Sequence, residues 1–246
     1  RTTAQVQALR PLNPQRDMPH VGAILQGIQA RLGGALPVLG FAGAPVTLAF
    51  FMIAGQSPTR QISDVLRFFS EAPKLVQTLL DYLTDLTIAY LHYQIDSGAH
   101  AVQIFESMAD VLPRELYEQF ALPTHERIFA SLPKTTPAIL FAKEFSDLDL
   151  LLQSGAPILS VGSCVDLADA RSKAPDRVFQ GNVNNQLLAD GTPETVTEAI
   201  AHCLAQTGGR NHILNLNHGL LERTPFEQVT HFVNTAKTLG AAHAEI

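Results

Sequence analysis

Cysteine and tryptophan are scarce in this sequence, which has two cysteines and no tryptophan among its 246 residues. Two cysteines cannot build the disulfide framework of a small secreted domain. Neither Cys164 nor Cys203 has a second cysteine or a histidine at the spacing of zinc ligands. We therefore expect a protein of the reducing cytoplasm that holds no metal ion.

Long apolar runs and stretches of one charge are also absent. No segment offers about 18 uncharged apolar residues in a row, as a transmembrane helix requires, and the first residues lack a signal-peptide run. The net charge is -6 at pH 7, and no block of lysines and arginines provides the basic surface that nucleic acid or an anionic membrane needs. These absences predict that the protein binds neither nucleic acid nor a membrane.

What the sequence does contain is an alternation of short apolar runs with helical segments. The runs are bounded by glycine, proline or polar residues, as buried parallel strands are. Predicted strands cover residues 37–44, 100–107, 137–144, 156–163, 177–184 and 212–219. Apolar spacing and capping signals, including a capping box at Thr224, predict helices over 14–32, 59–70, 73–96, 114–131, 146–153, 192–206 and 224–239.

This alternation predicts a parallel α/β fold, either closed as a barrel or open and doubly wound. No linker or change of composition divides the chain, so residues 1–246 are predicted to form a single domain. The long connection 45–99 has room for two helices and a loop. In a barrel it would overhang the mouth of the active site.

Polar side chains collect where the predicted strands end, at the edge where parallel α/β proteins bind ligands. A serine or asparagine at such a position often forms hydrogen bonds within the loop, and a charged side chain beside a buried strand needs a partner or a ligand. A histidine can bond within the loop or contact a ligand. No phosphate-binding glycine motif and no G-x-S-x-G motif accompanies them. The candidates are Glu106, Ser107, Lys143, Glu144, Ser163, Asn182, Asn184, Asn217 and His218.

Five short motifs follow one another along the chain at these strand ends. They are GFAGAP at 40–45 with TL at 47–48, FES at 105–107 with FALP at 120–123, FAK at 141–143, QGN at 180–182, and NL with HGL within 215–220. Any one of them could arise by chance. Together and in this order they resemble the motifs of the uroporphyrinogen decarboxylase family, and the resemblance spans nearly the whole chain.

The resemblance implies an α/β fold of the (β/α)8 barrel type, in which the six predicted strands are the third to the eighth. It also implies a homodimer that converts the four acetate side chains of uroporphyrinogen III to methyl groups, without a metal or an organic cofactor. The products are coproporphyrinogen III and carbon dioxide. Substrate contacts fall on Ser107 and His218, whose side chains can donate to carboxylate oxygens. Phe41 would form part of an apolar wall against the macrocycle.

The chain departs from the family motifs at several positions. Phe51 stands where the family has a substrate-contacting tyrosine. Without the tyrosine hydroxyl, a hydrogen bond of about 0.5–3 kcal/mol to the substrate is lost. Val46 replaces a tryptophan of the first motif. Asn184 and Asn185 replace the aspartate and proline of the family's QGNLDP motif, and Asn217 replaces the glycine before the histidine.

The family motifs that carry two substrate-binding arginines and the aspartate that holds the pyrrole nitrogens have no match in this sequence. In the family these motifs accompany the first and second strands, so we expect those strands to lie outside the 246 residues. Otherwise the edges of the sheet would need cover from the helix at 14–32 or from another chain.

Two other functions stay open at this point. Phe51 and the unmatched arginines are compatible with a degenerate relative that binds porphyrin or a protein partner without turnover. The superfamily also includes corrinoid-dependent methyltransferases, which need an H-x-C motif and a late cysteine as zinc ligands. This chain has Phe141-Ala142-Lys143 and His218 at the corresponding places, which favours the decarboxylase.

Overall fold

The computed structural model describes residues 2–244, which form two compact units. The first unit contains the chain up to residue 141 together with residues 149–157, and the second contains residues 142–148 and the chain from residue 158 onward. Neither unit is therefore one continuous stretch of sequence. The single domain over residues 1–246 stays a prediction.

All six predicted strands are confirmed, and each is shorter than predicted. Glu106 and Asn182 lie within β2 and β5, and the other polar residues at the predicted ends lie in the loops that follow the strands. Strands β1 to β6 are Leu39–Gly43, Ala101–Glu106, Ala138–Ala142, Ile158–Ser160, Val178–Val183 and His212–Leu216.

Each predicted helix has a counterpart, and proline is frequent in the first turn because that turn does not need its N–H. None of the helices within residues 2–244 combines the length and apolar character that crossing a membrane requires. Helices α1 to α13 are Thr3–Gln7, Pro14–Asp17, Pro19–Leu32, Pro45–Ala54, Ile62–Glu71, Pro73–Asp96, Arg114–Leu116, Leu122–Ser131, Leu148–Gln153, Leu167–Lys173, Asn185–Asp190, Pro193–Thr207 and Phe226–Ala244. Short 3-10 helices cover Pro58–Arg60 and Ala109–Val111, and a π-helical turn covers Tyr117–Ala121.

Prolines account for several differences between the predicted and observed helices. The predicted helix 14–32 divides into α2 and α3 at Pro19, and the predicted helix 114–131 widens into the π-helical turn just before Pro123. Proline has no N–H to donate, and its ring crowds the preceding turn. The connection 45–99 holds three α-helices and not two, because α4 begins directly at Pro45.

The predicted capping box at Thr224 is wrong. The hydroxyl of Thr224 is buried without a hydrogen-bond partner, and α13 begins at Phe226. The N–H of Thr224 donates to the carbonyl of Leu221 at 2.9 Å, so this residue belongs to the preceding turn. A capping box does form at the start of α12, between Thr192 and Thr195.

In the first unit, β2 lies between β1 and β3 and runs parallel to β1. Phe50 of α4 and Phe69 of α5 are fully buried in its core, with ring centroids 5.2 Å apart. Burying each such side chain stabilises the fold by about 1.5–3 kcal/mol. Helix α6 packs against β1 and gives that strand a buried face.

In the second unit, β5 lies between β4 and β6 and pairs with both in parallel. Arg171 of α10 fixes the turns that precede β5 and β6. Its guanidinium lies 5.7 Å from the centre of the Phe179 ring and donates to four carbonyls at 2.5–3.0 Å. These carbonyls belong to Pro175, Arg177, Arg210 and Asn211.

Candidate active site

Three phenylalanines form a row across the strands of the first unit. Phe41 on β1 meets Phe105 on β2 edge to face, with ring centroids 6.0 Å apart, and Phe105 lies 5.4 Å from Phe141 on β3. Phe41 is 62% exposed, whereas Phe141 is 6% exposed. Each aromatic pair contributes about 0.5–1.5 kcal/mol beyond its buried area. The row is therefore an anchored apolar surface that is exposed at Phe41, and a substrate contact by Phe41 stays a prediction.

Gln94 of α6 fixes the backbone of Phe41 from the buried side of β1. The Phe41 N–H donates to Gln94 Oε1 at 2.8 Å, and Gln94 Nε2 donates to the Phe41 carbonyl at 2.9 Å. A Cβ atom at Gly40 would lie only 2.7 Å from Gln94 Oε1. The first glycine of the GFAGAP motif therefore leaves room for the side chain that holds Phe41.

Ser107 follows β2 and is held through Thr47 of α4. The Ser107 N–H donates to Thr47 Oγ1 at 2.8 Å, and the Thr47 hydroxyl donates to Glu106 Oε1 at 2.5 Å. Thr47 and Glu106 are buried, and Ser107 is half-buried. The bond to Thr47 uses the main chain of Ser107, so it does not consume the hydroxyl as a donor to a ligand.

Glu106 belongs to a fully buried polar cluster of the first unit. Its Oε2 atom lies 3.4 Å from His125 Nε2, and the Tyr117 hydroxyl lies 3.4 Å from His125 Nδ1. Burial and, next, the negative charge of Glu106 raise the pKa of Tyr117 well above its usual value. Thr47 is thus the hydrogen-bond partner of Glu106 Oε1, whereas Glu106 Oε2 lies near His125 without a hydrogen bond. A substrate contact by Glu106 stays a prediction.

Phe51 lies on α4, four residues after Thr47, so the helix that holds Ser107 also carries the residue that replaces the family tyrosine. Its side chain is 44% exposed. A ring with this exposure can contact a ligand, but without a hydroxyl it cannot donate a hydrogen bond. The contact itself stays a prediction.

In the second unit, main-chain and side-chain groups converge on Glu144, which follows β3. Its carboxylate accepts from the N–H groups of Ser163 and Cys164 at 2.9 and 3.2 Å and from Asn217 Nδ2 at 2.7 Å. Burial raises the pKa of Glu144, but these hydrogen bonds outweigh burial and hold the pKa below its usual value. Lys143 beside it is half-buried, and its role toward a substrate stays a prediction.

His218 lies in the loop after β6 and is exposed. Both of its neighbours are bonded to Asn185, the first residue of α11. The Asn185 N–H donates to Asn217 Oδ1 at 2.7 Å, and Asn185 Nδ2 donates to the Gly219 carbonyl at 2.7 Å. The backbone on each side of His218 is therefore fixed, and its substrate contact stays a prediction.

Asn182 is engaged within the second unit. Its Nδ2 atom donates to the carbonyls of Gly162 and Val165 at 2.8 and 2.7 Å. Its Oδ1 atom lies 3.9 Å from the Cys203 sulfur, a long contact. These bonds fix the loop after β4, and a substrate contact by Asn182 stays a prediction.

Several residues that surround the predicted contact residues within each unit are not evident from the sequence alone. Thr47 belongs to the TL pair of the first motif, and Phe105 and Phe141 begin FES and FAK, so the motifs contain a signal for all three. Nothing in the sequence connects Gln94 with Phe41, because the two residues are 53 positions apart. Asn185 is visible only as a departure from the family motif.

Within residues 2–244, no group of three or more histidine, cysteine, aspartate or glutamate side chains could hold a metal ion. The two cysteines are unpaired, with Cys164 exposed and Cys203 buried.

Comparison with solved structures finds a protein of similar fold. A methyltransferase from Methanosarcina mazei superposes with a TM-score of 0.78 at 19% identity, covering 95% of this chain and 68% of the other. At this identity the likeness concerns the fold alone.

Sequence comparison is more specific. A uroporphyrinogen decarboxylase of Synechococcus sp. (strain CC9605) is 39% identical over 244 residues, which cover 97% of this chain and 69% of the relative. A uroporphyrinogen decarboxylase of Trichormus variabilis (strain ATCC 29413 / PCC 7937) is 40% identical over 246 residues, covering 98% and 69%. The family model for uroporphyrinogen decarboxylase matches residues 1–239. Over nearly its entire length, therefore, the chain belongs to the uroporphyrinogen decarboxylase family.

Proposed function

We propose that this protein is a carboxy-lyase that removes the four acetate carboxylates of uroporphyrinogen III to give coproporphyrinogen III. The observation that carries the proposal is the 37–40% identity to uroporphyrinogen decarboxylases across 97–98% of the chain. The methyltransferase alternative has only a fold likeness at 19% identity in its favour. The chain also lacks the H-x-C motif which that chemistry needs.

The aromatic row of Phe41, Phe105 and Phe141 supports a flat, apolar substrate. Pyrrole rings are planar and apolar on their faces, and offset or edge-on packing against phenylalanine is favourable. The exposed end of the row at Phe41 is the part that a macrocycle would contact. Its rigid backbone, held by Gln94, means that little conformational freedom is lost on binding.

Ser107 and His218 each donate a hydrogen bond to a substrate carboxylate in this proposal. Hydrogen bonds to charged oxygens contribute about 1.5–3 kcal/mol each. The main chain of each residue is held by its surroundings, through Thr47 for Ser107 and through Asn185 for the neighbours of His218. Preorganised donors of this kind give orientation as well as affinity.

The chemistry requires an acceptor for the electrons of each breaking bond. Protonation of the pyrrole makes it cationic, and it takes up the electron pair as the bond between the acetate methylene and its carboxylate breaks. Carbon dioxide leaves, a proton is added to the methylene carbon to form the methyl group, and the pyrrole loses its proton. Each decarboxylation therefore consumes one proton overall. Fixed charges and dipoles that favour the cationic ring lower the barrier.

The decisive experiment is anaerobic incubation with uroporphyrinogen III, followed by chromatographic separation of the oxidised porphyrins. We expect coproporphyrin and the partly decarboxylated intermediates. Ser107→Ala and His218→Ala should each lower kcat/KM by about 10- to 150-fold, the loss of one charged hydrogen bond. Ser70→Ala and His20→Ala, which change exposed residues of α5 and α3, are the matched controls.

Two other outcomes would contradict parts of the proposal. Porphyrin binding without any product would support the degenerate relative instead of the decarboxylase. Turnover that neither Ser107→Ala nor His218→Ala reduces would leave the activity in place and exclude both residues as substrate contacts.

The homodimer that the family resemblance implies and the cytoplasmic location that the cysteine content predicts are also part of the proposal. Two copies of the chain should form one particle in solution, which light scattering after size-exclusion chromatography measures. A cytoplasmic location fits two unpaired cysteines, since reducing compartments keep thiols free.

A further inference from the structure

Asn185 bonds to both sequence neighbours of His218, although it lies more than 30 positions earlier in the chain. Its N–H donates to the Asn217 side chain and its own side chain donates to the Gly219 carbonyl, each at 2.7 Å. One residue therefore fixes the backbone immediately before and after His218. Asn185 and Asn217 are themselves 7% and 6% exposed, which protects these bonds from competing water.

Both ends of the Asn217 amide are used. Oδ1 accepts from Asn185, and Nδ2 donates to Glu144 at 2.7 Å. The Asn217 N–H also donates to the carbonyl of Val183 at 2.8 Å, at the end of β5. Asn217 is thus connected to three segments of the second unit, and a bond to the charged Glu144 is stronger than one between neutral groups.

The bond between Asn185 and Asn217 joins two of the positions at which this chain departs from its family motifs. The family proline at position 185 has no N–H to donate, and the family glycine at position 217 has no side chain to accept. The two departures therefore supply the donor and the acceptor of one hydrogen bond. Either substitution alone would leave a buried polar group without this partner.

We infer that Asn185 and Asn217 are positioning residues that hold the imidazole of His218 in the orientation in which it meets the substrate. The inference rests on the proposed function, because it takes His218 as a contact of the porphyrinogen. It predicts that this chain fixes the His218 loop by a pair of side-chain bonds where the family motifs supply a proline and a glycine.

The first test compares Asn217→Gly in the native protein and in a His218→Ala background. In the native protein we expect KM for uroporphyrinogen to rise about tenfold, with kcat changed by less than about twofold, since a mobile loop weakens one charged contact. In the His218→Ala background the same substitution should leave KM unchanged. An equal rise of KM in both backgrounds would overturn the inference, because Asn217 would then act independently of His218.

The second test needs no substrate. The imidazole signal of His218 is assigned by its loss in His218→Ala, and its NMR line is compared in the native protein, Asn217→Gly and Asn185→Ala. Asn185→Ala keeps the N–H bond to Asn217 and removes only the bond to Gly219. We expect the line to broaden or divide in both variants, more in Asn217→Gly. An identical line in all three proteins would overturn the inference, whereas a changed line without any turnover would exclude only the proposed function.

A third measurement tests the pairing itself. Position 185 begins α11, where proline is favoured, and Asn184 before it has the extended φ of -65° and ψ of 123° that proline requires. Asn185→Pro should therefore fit the backbone but place its ring against Asn217 Oδ1. We expect it to lower Tm in the native protein and to be tolerated in the Asn217→Gly variant. Equal losses of Tm in both backgrounds would contradict the pairing.

Discussion

Phe51 is the single residue whose identity bears most directly on turnover. It lies 44% exposed on α4, so a hydroxyl added to its ring need not be buried without a partner. We expect Phe51→Tyr to raise kcat/KM for uroporphyrinogen about 2- to 10-fold, the effect of one added neutral hydrogen bond. Steady-state kinetics measure this, with Phe226→Tyr, at an exposed position of α13, as the control. An unchanged kcat/KM would mean that this ring does not face the substrate.

Thr47 connects the buried Glu106 to the main chain of Ser107. Thr47→Val keeps the shape of the side chain but removes the hydroxyl that serves both bonds. We expect the free energy of unfolding to fall by about 1–3 kcal/mol, because buried Glu106 Oε1 loses its hydrogen bond and Oε2 already lacks one. Thr47→Ser retains the hydroxyl and should keep most of kcat/KM. Denaturant unfolding and steady-state kinetics on both variants separate the effect on stability from the effect on the position of Ser107. Equal kcat/KM in Thr47→Val and Thr47→Ser would contradict a role for the Thr47 hydroxyl in positioning Ser107.

Cys164 is exposed but should be a slow nucleophile. Desolvation of the thiol and, next, the negative charge of Glu144 raise the pKa of Cys164 to about 11. At pH 8 roughly one molecule in a thousand would carry the reactive thiolate. With Cys203 replaced by serine, alkylation by iodoacetamide should be slow and should become faster in Glu144→Gln. Asp176→Asn removes an exposed charge elsewhere in the second unit and should leave the rate unchanged. A fast reaction at pH 8 in the protein that retains Glu144 would contradict the raised pKa of Cys164.

At the scale of elements, the turns before β5 and β6 depend on α10 through Arg171. Its planar guanidinium donates to four carbonyls and also covers the Phe179 ring, a geometry that a lysine cannot reproduce. We expect Arg171→Lys to lower the free energy of unfolding by about 2–4 kcal/mol, since charged hydrogen bonds are lost and carbonyls are left without donors. Lys173→Met on the same helix is the control, because its ion pair with Asp169 is exposed. A loss no larger than that of the control would show that the turns hold without Arg171.

For the whole molecule, the order of the chain bears on how it unfolds. Residues 149–157 of the first unit lie in sequence between two segments of the second, so neither unit can form from one continuous stretch. We therefore expect one cooperative transition, as the predicted single domain would give. All four tyrosines, Tyr82, Tyr90, Tyr93 and Tyr117, belong to the first unit, and the buried Cys203 belongs to the second.

The tyrosines and Cys203 allow the unfolding of each unit to be followed separately. In a Cys164→Ser variant, tyrosine fluorescence reports on the first unit and the reactivity of Cys203 reports on the second. Coincident denaturant midpoints are expected. Midpoints that differ beyond the error of the fits would show that the two units unfold separately.

Local chemistry explains which elements could be predicted from the sequence. The six strands are apolar and bounded by turn residues, and α6 has apolar residues at helical spacing over its full length, so both patterns are visible within short windows. The π-helical turn at Tyr117–Ala121 and the start of α13 at Phe226 could not be predicted this way. They depend on how proline and the preceding turn are accommodated by the surrounding chain.

The sequence by itself determined the family, because five motifs in order are specific. It also determined the six strands and the residue types at their ends, because apolar runs bounded by turn residues are visible within short windows. Only the tertiary structure decided which of these residues are engaged by the protein itself. Glu106 faces Thr47 and His125, Asn182 serves the loop after β4, and Asn185 holds the loop of His218. The reason is physical: hydrogen bonds join groups that folding brings within about 3 Å. The partners named here are 19 to 59 positions apart in the sequence, and such separations carry no record of that proximity.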